Sequence, residues 1–446
     1  MNMITFKKNN TILNGNINIY GDKEISIIAL ILSSIAIGES KITNLPNTKE
    51  IRQLIDIIKQ LSISVKRNDD NDWLIEGNGI NGIQEPINVI DVDKSISILQ
   101  LFVGLLSSYD FTVFFKVHNN LSNINIDNIL NILQILNVKY ITRQNNHLPL
   151  LMMGNSERKK ISFKDIDNDV LLKKMLLLSA ITIPNKFPII ITEKRKTENH
   201  LEIMMKYFGI VLEEHDIVRK IDSEVVMGKE IIITGQQNFI AKHISIPADL
   251  SASAFIATLA ITKQNSNIIL KDVLMNEYRD SFYRILIDLG VDIKLVNKRI
   301  ICGEKVNDII IKTSQLRNTI ISKDRVYKLS TEYPFIIFIA TLTDAVIELQ
   351  GIKHLKNRYP NDYQFILELL TNLGVEFVED KEYLRIIGQI KNYDYTINLD
   401  DYKNISPNVI LMTAMYGFYL NKSITVDENL INDYINIKEI MTQLKM

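Results

Sequence analysis

Leu289-Gly290-Val291, running on to Arg299-Ile300-Ile301-Cys302-Gly303, is the stretch that decides the fold of this 446-residue chain. The leucine closes an amphipathic helix, the glycine offers the left-handed backbone that caps it, and the valine begins a strand. The phrase occurs four more times, as Leu61-Ser62-Ile63, Leu136-Asn137-Val138, Phe208-Gly209-Ile210 and Leu373-Gly374-Val375. Successive copies lie about 70 to 85 residues apart, beyond the usual solenoid periods, so they mark repeats of subdomain size. In several copies a second strand closes on glycine, as in Trp73-Leu74-Ile75-Glu76-Gly77 and Leu384-Arg385-Ile386-Ile387-Gly388, which predicts a hairpin after each helix.

The helices are read from apolar residues at i, i+3 and i+4, such as Ile51, Leu54, Ile55 and Ile58. Ala29 to Ala36 and Ala254 to Thr262 are apolar on more than one side, which predicts helices in the middle and sheets outside. Composition is that of a folded protein: 46% hydrophobic and 23% charged residues exclude disorder along its length. Lys and Arg number 51 against 52 Asp and Glu, so no broad basic field for nucleic acid exists and any anion site must be local. A lone cysteine, Cys302, excludes an internal disulfide and a cysteine-rich zinc site; it reads as a small apolar residue inside a strand. The runs Ile25 to Ile37, Tyr333 to Leu342 and Val409 to Leu420 fall short of the roughly 18 to 20 residues that span a bilayer. The opening residues lack a signal-peptide pattern. A cytoplasmic protein without membrane or nucleic-acid partners is therefore expected, and it is taken to act as a monomer. The boundary is placed in the polar stretch Gln236 to His243, giving one domain over 21–241 and a second from 1–20 plus 242–446.

Three segments set polar residues ahead of an apolar helix: Gly21-Asp22-Lys23-Glu24, Asp91-Val92-Asp93-Lys94-Ser95 and Pro247-Ala248-Asp249-Leu250-Ser251. Asp249 reads as an N-cap. If such helix starts converge, their N–H groups form an anion site to which Lys23 adds a point charge.

At these residues the chain resembles the 5-enolpyruvylshikimate-3-phosphate synthases. Gly21 to Leu32 with Gly38 to Leu45 resembles the family's opening signature, and Pro247 to Phe255 its Pro-Gly-Asp-Ile-Ser segment. Asn276 with Arg279, His200-x-Glu202 ahead of Phe208-Gly209, and Asp401-Tyr402-Lys403 follow in the family's order. The resemblance implies a two-domain inside-out α/β barrel, each domain made of three βαβαββ-like units. It implies transfer of the enolpyruvyl group of phosphoenolpyruvate to shikimate 3-phosphate, without metal or organic cofactor. Lys23, Thr331, Glu332 and Arg358 fall on catalytic positions, and Lys23, Glu24, Lys94, Ser95, Gln100, Lys173 and Lys403 on or beside substrate-binding ones.

Many of these positions depart from the family pattern. Its serine is Glu24 and its next arginine Ile28; the Asn-x-Gly-Thr loop falls on Lys94 to Gln100, with Gln100 for arginine. A further arginine is Ile124, the Ser-x-Gln segment is Asp169 to Leu171, the catalytic aspartate is Thr331, and the late lysine is Asn432. The Lys-Glu-Ser-Asp-Arg stretch becomes Arg358 to Asp362, keeping a cation only at Arg358. Losing several charge-assisted hydrogen bonds, at roughly 1.5 to 3 kcal/mol each, predicts weakened binding of two anions and impaired activity. A shifted alignment would bring Asp93, Glu332, Arg325 or Lys328 into play instead. The competing reading is a non-catalytic protein that binds another anion or a protein partner in the cleft between its domains. The sister UDP-N-acetylglucosamine enolpyruvyl transferases have Lys-Asn where this chain has Lys23-Glu24, so the shikimate branch is the nearer resemblance.

Overall fold

The five phrases form the same left-handed helix end. Ser62, Asn137, Gly209, Gly290 and Gly374 have φ of 65°, 58°, 92°, 88° and 65°. The next residue's N–H reaches back to the helix in four of them: Val138 to Leu133 O at 2.8 Å, Ile210 to Met205 O at 2.9 Å, Val291 to Leu286 O and Val375 to Leu370 O at 3.0 Å. These bonds satisfy carbonyls that a helix end otherwise leaves open, and they turn the chain directly into a strand.

An antiparallel hairpin follows each phrase: Ser64–Arg67 with Trp73–Asn78, Lys139–Arg143 with His147–Met153, Leu212–Ile221 with Glu224–Ile233, Asp292–Ile301 with Glu304–Lys312, and Phe377–Glu379 with Tyr383–Ile386. Cys302 lies not within a strand but in the two-residue turn of the fourth hairpin. Cys302 and Gly303 both have positive φ, 43° and 88°, as the turn that matches strand twist requires. The cysteine is buried all the same, and burial pushes its thiol up to about 12.

The computed structural model describes residues 3–6, 12–70, 72–93, 95–118, 121–156, 161–166, 169–184, 187–221, 224–394, 405–420, 424–427 and 443. The chain divides into two compact units, Met1–Lys23 with Pro46–Lys49 and Pro247–Met446, and Glu24–Leu45 with Glu50–Ile246. Both are α/β with mixed sheets. In the second unit, Ile90–Asp91 runs parallel to Thr112–Lys116, which pairs antiparallel with His147–Met153 and through it with Lys139–Arg143. The intervening helices are Ile96–Leu106 and Asp127–Ile135, so the unit reads βαβαββ. Ser162–Ile166 opens an equivalent sheet there, and Thr319–Ile321 opens one in the first unit.

Two sheets take their first strand from a remote part of the chain. His243–Ser245 pairs parallel with Ile37–Thr43, and Asn14–Ile17 pairs parallel with Asn267–Leu274. Met3–Phe6 pairs antiparallel with Ile424–Asp427. Among the described residues every sheet is an open row of strands and none closes on itself.

The helices lie at the centre, as their all-round apolar faces predict. In the first unit Leu250–Thr262, Tyr333–Ala340 and Pro407–Tyr419 pack on one another, and every residue from Leu250 to Ile261 is buried. In the second unit Ile96–Leu106 packs on Val170–Thr182. Gly104 permits that contact: a Cβ there would stand 2.3 Å from the Met175 carbonyl oxygen.

Candidate active site

In the first unit two helix starts are tied together by one carboxylate. Asp249 caps the helix Leu250–Thr262, accepting from the Ala252 N–H at 2.8 Å, and its other oxygen accepts from the Lys23 N–H at 3.4 Å. The Asp22 N–H donates to the Pro247 carbonyl at 2.7 Å, and the Asp249 N–H donates to the Tyr20 carbonyl at 3.0 Å. Burial, reinforced by the charge of Asp22, pushes the Asp249 carboxyl up to about 7 against the pull of the Ala252 N–H, Arg279 and the Lys23 N–H.

Arg279 stands among these acids. Its guanidinium lies 3.5 Å from Asp22 and 3.7 Å from Glu332. Glu332 is fully buried, accepts from the Ser251 hydroxyl, and accepts from the Thr331 hydroxyl at 3.2 Å. Asn408 donates to the Thr331 carbonyl at 2.7 Å. Glu332 and Thr331 are thus brought together, with Glu332 inside a network that binds the starts of Leu250–Thr262 and Tyr333–Ala340. Thr331 acts there as a donor, and a threonine hydroxyl has no basic form near neutral pH. Arg358 is exposed, with its guanidinium 5.4 Å over the Tyr359 ring, which in turn stacks on Tyr333 at 5.9 Å. Asp362 is buried and accepts from the Ser406 N–H at 2.7 Å; burial raises its carboxyl above the usual range.

The second unit holds most of the other expected residues. Ser95 caps Ile96–Leu106, accepting from the Ile98 N–H at 3.1 Å while its hydroxyl donates to Glu50. Gln100, one turn on, is buried, and its Oε1 has no hydrogen-bond partner among the described residues. Lys173 is 1% exposed and sits 3.1 Å from Glu193 and 2.8 Å from Glu202, with a third bond of 2.6 Å to the Glu198 carbonyl. Burial opposes its charge, but Glu202 and Glu193 outweigh burial and raise its pKa. That places Lys173 inside the unit, holding Val170–Thr182 to the segment before His200–Phe208. Lys94 and Lys403, like Asn432, lie outside the described residues.

Glu24 carries an unexpected partner, an ion pair with the buried Lys174. The negative charge of Glu24 is therefore compensated. The sequence held a signal for this: tandem lysines within the apolar run Leu171 to Ile181 cannot be buried without carboxylates to meet them. Glu24, Glu198 and His200 also gather their ligand atoms within 4.8 Å of one another.

The sequence pattern of the EPSP synthase (3-phosphoshikimate 1-carboxyvinyltransferase) family matches residues 7–399. A 3-phosphoshikimate 1-carboxyvinyltransferase of Paramagnetospirillum magneticum is 26% identical over 419 residues, covering 94% of this chain and 91% of its own. That of Oceanobacillus iheyensis is 27% identical over 441 residues, covering 98% and 97%. The solved EPSP synthase of Acinetobacter baumannii shares the fold with a TM-score of 0.81 at 20% identity, over 99% of this chain and 98% of that one. An enolpyruvyl transferase of Streptomyces tendae does so at 0.67 and 11% identity, over 99% and 97%.

Proposed function

The chain belongs to the EPSP synthase (3-phosphoshikimate 1-carboxyvinyltransferase) family, and from that premise we propose that it transfers the enolpyruvyl group of phosphoenolpyruvate to the 5-hydroxyl of shikimate 3-phosphate. The match over residues 7–399 carries this reading, because it runs through both units and not through one motif. In the reaction the hydroxyl gives up its proton as its oxygen adds to C2 of phosphoenolpyruvate, and C3 takes a proton. C3 then returns a proton as the bond from C2 to the phosphate oxygen breaks, and inorganic phosphate leaves. Such a step needs cations for two anions and a group that carries a proton.

Lys23 is assigned both the anion contact and proton delivery, since it stands at the start of Lys23–Ile35, where backbone N–H groups also favour an anion. Arg358, exposed, is assigned a second anion contact. Glu332 is assigned to hold Thr331 and the helix starts in place, because its carboxylate is already bonded to Ser251 and Thr331. The pairing of Glu24 with Lys174 supports binding of an anionic substrate by removing one of the charges that opposes it. The alternative, a non-catalytic protein with another ligand, finds no support among the relatives. We propose action on these small molecules as a cytoplasmic monomer; among the described residues no helix is long and apolar enough to cross a membrane.

The test is phosphate release by the purified chain given both substrates, beside a Lys23→Ala variant. Release that the substitution abolishes supports the assignment. Release equal to that of the variant, at high protein and substrate concentrations, overturns it.

A further inference from the structure

In the first unit Glu304–Lys312 lies between Asn267–Leu274 and Asp292–Ile301, and both neighbours bulge against it side by side. Lys271 and Asp272 stand against Asp308 alone, and Asn297 and Lys298 against Asn307 alone. Asp272 and Asn297 have φ of 55° and 50°, a left-handed backbone that residues other than glycine keep only where their surroundings fix it.

Arg299 supplies that constraint. Its Nε donates to Asp272 Oδ1 at 3.0 Å, its Nη2 to the same oxygen and to Asp308 Oδ1 at 2.7 Å, and its Nη1 to the Asn297 carbonyl at 2.6 Å. Asp308 completes the clamp, accepting from the Asp272 N–H at 3.0 Å and from Asn297 Nδ2 at 2.8 Å. Up to Leu270 the other edge of Asn267–Leu274 is taken by Asn14–Ile17; past the bulge it is taken by Ala248. The Ala248 N–H donates to the Asp272 carbonyl at 2.9 Å, and the Leu274 N–H donates to the Ala248 carbonyl at 3.4 Å. The next residue is Asp249, whose carboxylate caps Leu250–Thr262 and accepts from the Lys23 N–H. Bulges gather beside active sites because they re-aim the groups next to them, and the re-aimed group here is the carbonyl of the residue that Arg299 clamps.

We propose that Arg299 is a positioning residue for the transfer reaction: by clamping the left-handed Asp272 it sets Ala248, and through Asp249 the start of the helix that carries Lys23. The inference rests on the proposed transfer and on the part assigned to Lys23 in it. Arg299 acts through the backbone and not by touching a substrate.

The experiment measures phosphate release per folded chain, with both substrates saturating, for the parent, Arg299→Met, Arg299→Met with Asp272→Gly, and Arg385→Met. Arg385 is the control, since it bonds to Glu348 at 2.8 Å between strands that pair without a bulge. Arg299→Met should lower kcat about tenfold, because small misplacements of a catalytic group cost that much or more. Arg385→Met should stay within about twofold of the parent, as a surface pair contributes little. Adding Asp272→Gly should restore kcat to within about threefold, because glycine holds a positive φ without a clamp. An arginine that merely stabilised its hairpin would leave the kcat of the folded chain unchanged. Thermal melts give the folded fraction, and Arg299→Lys, which keeps the charge but not the fork, replaces Arg299→Met should that chain fail to fold. An active parent with unaffected Arg299 variants overturns the inference alone. So does a loss that Asp272→Gly leaves in place, or an equal loss in Arg385→Met. A parent that releases no phosphate overturns the transfer reading, and the inference falls with it.

Discussion

Replacing Lys173 by methionine keeps the length of the side chain and removes its charge from between two buried carboxylates. Glu193 and Glu202 are 2% and 1% exposed and lie 3.1 Å and 2.8 Å from the ammonium. Breaking such a pair costs about 3 to 5 kcal/mol, because the remaining charge stays buried without compensation. At about 2 to 4 °C per kcal/mol for a unit of this size, the melting temperature should fall by roughly 6 to 20 °C. The pH dependence sharpens the test. The pKa of Lys173 is raised above 10.5, so its contribution is complete below that pH and is lost only as pH rises through the higher folded value. In the variant the orphaned glutamates resist ionisation, so the deficit should shrink as acid protonates them. Urea unfolding at pH 5 and 8 measures both, and adding Glu202→Gln to the variant should recover part of the loss. A Lys173→Met protein within 1 kcal/mol of the parent at pH 8, with no change at pH 5, would refute the reasoning.

Three other perturbations have definite outcomes. Asp249→Asn keeps a good N-cap but abolishes a carboxyl pushed up to about 7. A carboxyl with a raised folded pKa costs stability as pH climbs from its unfolded value near 3.8 to 7, so the parent should lose stability relative to the variant across that window in urea titrations. Gly104→Ala forces a Cβ to 2.3 Å from the Met175 carbonyl oxygen, and separating the two helices should cost about 1 to 3 kcal/mol in chemical denaturation. Ser251→Ala removes a donor to the buried Glu332 and should cost about 1.5 to 3 kcal/mol, read as a lower melting temperature.

The repeated helix ends were legible because a left-handed cap demands a particular residue at one place, and Gly209, Gly290 and Gly374 announce it. Ser62 and Asn137 adopt the same backbone at a steric cost that only their position in the repeat reveals. The exchange of strands was not legible. Asn14–Ile17 has four residues and His243–Ser245 three, and each pairs with a strand some two hundred residues or more away, which leaves no local periodicity to read. Cys302 was read into a strand because Ile300-Ile301-Cys302 continues the apolar run, without the Asn-Gly or Asp-Gly pair that usually marks a two-residue turn. The helix start at Lys23 was legible from its place before an apolar run. Lys174 was passed over because its partner Glu24 lies about 150 residues earlier, and charge pairing at that range follows from packing.

The pairing of Met3–Phe6 with Ile424–Asp427 bears on the order in which the molecule is made. All of the second unit has been synthesised once Ile246 is added, whereas the outermost strands of the first unit meet only when residue 427 has emerged. At about 5 to 20 residues per second, translation imposes a delay of roughly 10 to 40 s between those points. Throughout that interval the first strand off the ribosome waits for its partner, so the earliest part of the chain is among the last to find its place.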